Sequence, residues 1–421
     1  MKLIEKALLI ERHEMKATLS SFAFVFVLMA AYYILRPVRD AMASDWSDAE
    51  VSFLWTLNFF ASAAVVALYG IAVSRIKFQK LVPGVYAFFG LSFLFFYAAV
   101  NVVGDRTLVD KTFYVWVSVF SLFHVSVFWS FMSDIYTKQQ AGRLFGFIAS
   151  GASAGALLGP AIPALFAGTL GTDTLLLIAA VMLLIPIVLT IYLGRLKITD
   201  LHNEDVKADL SAAKIGGNPF AGFKMFLTDP YLLAIGVFIL LYTSISSFIY
   251  FEQKNLLAIY DRETRTQILG SLDWLVNLLT FVIAIFGTSR LVTKFGMATT
   301  LAIIPVFIIG GMLLLAASPI ITVVLALQVA RRAGNYAITR PGREILFTSV
   351  DRETRFKAKP VIDIVVYRGG DMLNAWAFTA LTAGLGLGLG AVALVGALIA
   401  TLWAITGIYL GRKFNDINTG P

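Results

Sequence analysis

Residues 331–371 read RRAGNYAITRPGREILFTSVDRETRFKAKPVIDIVVYRGGD. This stretch sets Arg331, Arg332, Arg340, Arg343, Glu344, Lys357, Lys359, Asp363, Arg368 and Asp371 at the ends of, or inside, two apolar segments of helical length. Carrying a charge to the centre of a bilayer costs about 2.5–3.5 kcal/mol even on the mildest insertion scale, so such residues face one another or a polar cavity. The expectation is an all-α polytopic membrane protein with an anion-accepting cavity built partly from this stretch.

The rest of the chain supplies the apolar frame. It has 421 residues, of which 58% are hydrophobic and 14% charged, where a soluble chain carries about 25% charged residues. Mean hydropathy is +0.81. With no cysteine, disulfides and thiolate metal sites are excluded. His13, His124 and His202 lie far apart and form no metal-ligand spacing. The net charge of +8 is explained by basic cytoplasmic loops, without nucleic acid as a partner.

A span needs about 20 mostly apolar residues. About twelve candidates meet this, centred near Phe26, Ala61, Gly90, Phe120, Ala156, Leu183, Val237, Leu278, Pro305, Leu325, Trp376 and Ile399. The longest polar interruption, 195–229, has six spans on either side. The expected organisation is an amphipathic N-terminus (1–16), a six-helix bundle (17–194), a linker (195–229), a second six-helix bundle (230–411) and a short tail (412–421). The N-terminus lacks a signal-peptide cleavage site. Basic residues alternate with the spans. Lys2, Lys6, Arg12 and Lys16, then Arg75, Lys77 and Lys80, Lys138 and Arg143, Arg290 and Lys294, 352–359, and Arg412 and Lys413 fall on one side. Only Arg106, Lys111, Lys254, Arg262 and Arg265 fall on the other. Both termini are therefore expected in the cytoplasm, with a bacterial inner membrane as the location.

Four segments carry a family resemblance: YYILRPVRDAMA (32–43), FWSFMSDIYTKQQAGRLFGFIASGASAG (128–155), YLLAIGVFILLYTSISSFIYFEQKNLL (231–257), and the pair NYAITRPGREILF (335–347) and DRETRFKAKPVIDIVV (351–366). They resemble the ATP/ADP antiporter family of plastids and intracellular bacteria, a divergent branch of the major facilitator superfamily. The last pair is the most specific match, because charges, prolines and the I-D-V-V ending keep their spacing. The basic turns 73–85 and 289–300, between the second and third and the eighth and ninth spans, are similar to the basic loop of that superfamily. The resemblance implies a twelve-helix transporter of major facilitator type that exchanges nucleotides. It places the family's first-span lysine on Arg39, the basic residue before the tenth-span glutamate on Arg343, with Glu344 following, and the paired loop lysines on Lys357 and Lys359. This chain departs from the pattern at Tyr250, where the family has glutamate (Glu252 stands two residues on), and at Arg340-Pro341, where it has Asp-Pro.

Anion recognition needs converging basic groups: arginine binds oxygens bidentately and stays charged when desolvated, and lysine acts as a point charge. Arg36 and Arg39 share a helix face at a spacing of three, around Pro37, with Asp40 to hold them. Arg340 and Arg343 repeat the spacing around Pro341. The candidate substrate-binding residues are Arg36, Arg39, Arg340, Arg343, Lys357 and Lys359. Glu344, adjacent to Arg343, is expected on another face. Asp40, Glu252, Asp273, Glu344, Asp363, Arg368 and Asp371 are candidates for gating or coupling, with Arg368 and Asp371 as an in-helix pair.

For each arginine pair the alternative is snorkelling to the interface; for Lys357 and Lys359 it is cytoplasmic anchoring; for the acids it is interhelical ion pairing. SGASAGALLGP (150–160) predicts close helix packing. The aromatic side chains are expected mostly toward lipid and interface, with Tyr32, Tyr33, Tyr242 and Tyr336 as candidates for stacking on a substrate ring. His124 is expected as a packed polar residue. There is no nucleophile–base pair, metal cluster or nucleotide-hydrolysis motif. A monomeric secondary transporter of a small organic anion, without a cofactor and not an enzyme, is the expectation. A proton-coupled transporter of another metabolite or drug-like compound is the alternative.

Overall fold

The computed structural model describes residues 10–76, 78–206, 221–286, 288–351, 354, 358–359 and 361–419. Its principal elements are helices: α1 (Met15–Met42), α2 (Asp48–Arg75), α3 (Phe78–Val102), α4 (Thr107–Ile135), α5 (Lys138–Leu158), α6 (Ala161–Met182), α7 (Ile185–Thr199), α8 (Ala221–Thr228), α9 (Pro230–Leu257), α10 (Arg262–Phe286), α11 (Thr288–Ala317), α12 (Ile321–Gly334), α13 (Arg340–Leu346), α14 (Tyr367–Thr379) and α15 (Leu389–Thr419). Helical turns of π type follow α12 at Asn335–Thr339 and flank α14 at Val361–Val366 and Ala380–Gly384.

Local chemistry sets the helix starts. Thr137 accepts from the backbone N–H of Gln140, whose side chain returns a bond to Thr137 N–H, so α5 opens on a reciprocal cap. Asp229 accepts from Tyr231 and Leu232 N–H, and Pro230 takes the first turn of α9. Asp261 accepts from Thr264 N–H and Oγ1 ahead of α10, and these bonds hold its carboxyl below the usual range.

Among the described residues, nine continuous helical stretches are long and apolar enough to cross a membrane. One of them, 138–199, is 62 residues long. It is broken by a kink at Gly171, whose φ of 75° suits glycine and strains other residues. Gly296, at φ 76°, makes the equivalent break inside α11. Beside these nine, the charged stretch supplies two more helical segments among the described residues, α12 to α13 and the π turn through α14.

The helices form two compact units. Unit 1 comprises Met1–Ala43, Phe60–Lys214 and Tyr260–Trp274; unit 2 comprises Ser44–Phe59, Ile215–Ile259 and Leu275–Pro421. In unit 1, α1 lies against α5 at the small-residue run. A Cβ on Gly159 would stand 2.7 Å from Ala30 O, and one on Gly155 would run into Phe26 O. Contrary to the lipid-facing expectation, aromatic rings build much of this core. Phe24 meets Phe128 edge-on at 5.0 Å and Phe93 meets Phe120 at 5.4 Å, all four fully buried. Lipid is as apolar as these rings, so nothing drives them outward, and edge-to-face contact favours packing by about 0.5–1.5 kcal/mol a pair. Unit 2 has its own core of Ile235, Ile239, Ile308, Met312, Leu327 and Trp403. His124 is buried in unit 1 between Tyr32 and Phe120, at ring distances of 4.6 and 5.2 Å.

Substituting Gly155→Val should overpack the α1–α5 contact and cost about 1–3 kcal/mol. A lowered melting temperature of the purified protein in detergent is the check; an unchanged one would mean the helices separate freely there.

Candidate functional site

Each unit gathers charged residues, and their pairing differs. In unit 1, Arg39 Nη2 and Nε donate to Asp40 Oδ1 at 2.6 and 2.9 Å, and Nη1 to Ser118 Oγ at 3.1 Å. Its guanidinium also lies over the Tyr114 ring at 5.4 Å. Arg36 Nε stands 3.7 Å from Asp40 and 3.8 Å from Asp273. The two arginines and two aspartates cancel in charge, and all four are largely buried. Asp273 reaches Arg36 from α10, which no sequence spacing connects.

The charged stretch forms a cluster in unit 2. Arg343 Nη2 lies 3.2 Å from both Glu344 Oε1 and Asp363 Oδ1, and Lys359 Nζ donates to Glu344 Oε2. Glu344 was expected on a different face from Arg343; the two pair nonetheless, because the long guanidinium arm spans adjacent helical positions. Two cations thus meet two anions. Arg340 stands apart. It is exposed, it lines a small pocket with Phe238, Ile239, Tyr242, Asn335, Thr339 and Arg343, and among the described residues no carboxylate lies within ion-pair distance of it. Arg368 and Asp371 stand 3.9 Å apart. Lys357 lies outside the described residues.

A third group in unit 2 surrounds Lys254, which is 3% exposed. Its Nζ meets Asp48 Oδ1 at 2.9 Å and donates to Trp46 O and Asn255 Oδ1. Thr382 donates to the other Asp48 oxygen. Glu252 is fully buried, and neither of its oxygens has a hydrogen-bond partner among the described residues.

Sequence reasoning missed Asp48, 206 residues from Lys254 and ordinary in appearance, because an acid in the first turn of a helix is a common dipole partner. It also missed the buried Lys197–Asp134 pair at 2.9 Å, and gave Arg331 no role. Glu11, His13 and Glu14 come together at the N-terminus, but both Glu14 oxygens accept from Arg143, at 2.8 and 3.2 Å. Of the four tyrosines, Tyr32 and Tyr33 meet edge-on, and Tyr242 lies tilted against Tyr367 and Trp403.

Long apolar helices around charge clusters are the plan of a solute transporter, and a sequence profile of the Major Facilitator Superfamily matches residues 21–339. The chain belongs to that superfamily. Among curated relatives, this major facilitator protein is 22% identical to ADP,ATP carrier protein 1 of Chlamydia trachomatis serovar D, over 86% of this chain and 81% of that one. It is 19% identical to ADP,ATP carrier protein 1 of Chlamydia pneumoniae, over 96% and 92%. In three dimensions it is similar to the nucleoside transporter NupG, with a TM-score of 0.64 at 15% identity, over 98% of this chain and all of that one. It is thus a multi-pass membrane transporter of a small molecule.

Removing one partner of a buried ion pair leaves the other charge stranded, at a cost of about 3–5 kcal/mol. Lys254→Met should therefore destabilise the transporter strongly, and adding Asp48→Leu should restore much of the loss. Thermal unfolding in detergent reads both; a double variant no better than Lys254→Met alone would deny the coupling.

Proposed function

We propose that this transporter moves an organic anion by alternating access, and that its substrate class is nucleotide-like. The observation that carries this is Arg340, a pocket-lining cation beside Arg343 that has no carboxylate within ion-pair distance among the described residues. Every guanidinium that already holds an acid, such as Arg39 or Arg343, has spent its charge internally. Arg340 has its charge available for a phosphate or carboxylate. Two similarities support the nucleotide class: that to proteins named as ADP,ATP carriers and that to a nucleoside transporter. In this proposal Arg36, Arg39, Asp40 and Asp273 act as an ion-pair gate, and Arg343, Glu344, Lys359, Asp363, Arg368 and Asp371 shape the site around Arg340.

The six-helix bundles 17–194 and 230–411 would rock around the linker, with both termini in the cytoplasm and a monomer in a bacterial inner membrane as the working unit. Glu252 favours a second reading. It is a buried carboxyl with no hydrogen-bond partner among the described residues, a candidate proton carrier, so proton coupling is the alternative.

Counterflow into proteoliposomes separates the two readings. Vesicles loaded with ADP should take up labelled ATP with no pH gradient. Uptake that requires an imposed gradient and fails in Glu252→Gln would favour proton coupling. Arg340→Gln should cut exchange at least about tenfold, which corresponds to about 1.4 kcal/mol of binding, with membrane abundance unchanged. Arg343→Gln should also lower the melting temperature, because it strands Asp363. Normal exchange by Arg340→Gln would remove Arg340 from the site.

A further inference from the structure

We infer that Arg331 is a second anion-binding residue of the unit 2 site, holding a phosphate or carboxylate group of the substrate; this rests on the organic-anion reading above. Arg331 ends α12 and is 4% exposed. Its Nε and Nη2 donate to Gln328 Oε1 at 3.2 and 2.6 Å, and its Nη1 donates to Tyr242 OH at 3.1 Å and Ser246 Oγ at 2.9 Å. The Tyr242 ring lies 5.8 Å from the guanidinium carbon.

All three of these partners are neutral. They orient the guanidinium and leave its charge uncompensated, whereas the buried Lys254 and Lys197 each have a carboxylate at 2.9 Å. Asp371 acts on Arg331 electrostatically, but it lies beyond ion-pair distance and takes Arg368 as its partner. A buried cation is strongly unfavourable unless an anion joins it. Three oriented neutral groups and no fixed anion describe a place kept for one that comes and goes.

The setting points the same way. Asn335 follows Arg331 by four residues, on the same helix face, and lines the pocket with Arg340 and Arg343; Tyr242 both lines that pocket and bonds Arg331. The π-helical turn at Asn335–Thr339 lies between Arg331 and Arg340, and such turns recur at functional sites. Two cations with no ion pair among the described residues, flanking one tyrosine, suit a substrate with more than one anionic group, as a nucleoside diphosphate has.

The test uses the full-length protein in detergent, titrated with pyrophosphate and with ADP at constant ionic strength while its melting temperature is followed. The parent should be stabilised by both. Arg331→Gln should bind at least tenfold more weakly, yet melt at or above the parent in anion-free buffer, since it removes a buried charge that has no carboxylate within ion-pair distance among the described residues. Gln328→Glu supplies a fixed counter-ion in the same shape; it should also weaken anion binding at least tenfold while keeping the fold. A structural arginine gives the opposite sign, with Arg331→Gln melting lower without anion. That result, or either variant binding pyrophosphate as the parent does, overturns the inference alone. A parent that neither anion stabilises overturns the organic-anion reading and this inference with it.

Discussion

A charge in an apolar interior needs a partner, and that constraint organises this transporter. Where both partners are fixed side chains, the result is a pair such as Lys254–Asp48, Lys197–Asp134 or Arg39–Asp40. The first two tie together helices distant in sequence, and the third joins neighbours within α1. They are weak sources of net stability and strong penalties when broken, which makes each one a selective joint. The same constraint separates roles among the arginines. Some hold an acid, as Arg39 and Arg343 do, and among the described residues Arg340 and Arg331 have no carboxylate within ion-pair distance.

This separation changes the weight given to individual residues. By family resemblance, Arg39 and Arg343 stand out. In the folded chain both are engaged, Arg39 by Asp40 and Ser118, and Arg343 by Glu344 and Asp363. Arg340, which stands where the family has aspartate, and Arg331 have no carboxylate within ion-pair distance among the described residues. Resemblance aligns residue types along a chain, whereas charge compensation is a property of distances in space.

Packing follows the same rule in each unit. Unit 1 closes α1 onto α5 through glycines that let backbones touch, and fills much of the remainder with aromatic rings. Unit 2 brings α15 onto α11 at Gly390 and Gly407, and packs aliphatic side chains with the rings of Phe238 and Trp403. Neither needs a hydrophobic drive, which lipid does not supply; both depend on close fit. Because such contacts depend on shape, small-residue faces are the natural places for helices to slide during transport.

The all-helical, polytopic plan was legible in the sequence, because hydropathy over twenty residues is a local quantity. The glycine run at 150–160 was legible for the same reason. The i, i+3 spacing placed Arg36 and Arg39 on one helix face, and in the folded chain both stand within 4 Å of Asp40. Tertiary structure alone decided that Asp273 answers Arg36 and that Asp48 answers Lys254. It also decided that Glu344 turns to its neighbour Arg343, and that Arg331 sits among neutral groups. Ion pairs form over about 4 Å in space with no constraint on separation along the chain. A one-dimensional pattern therefore shows which residues are charged, and only the fold shows which of those charges remain to be answered.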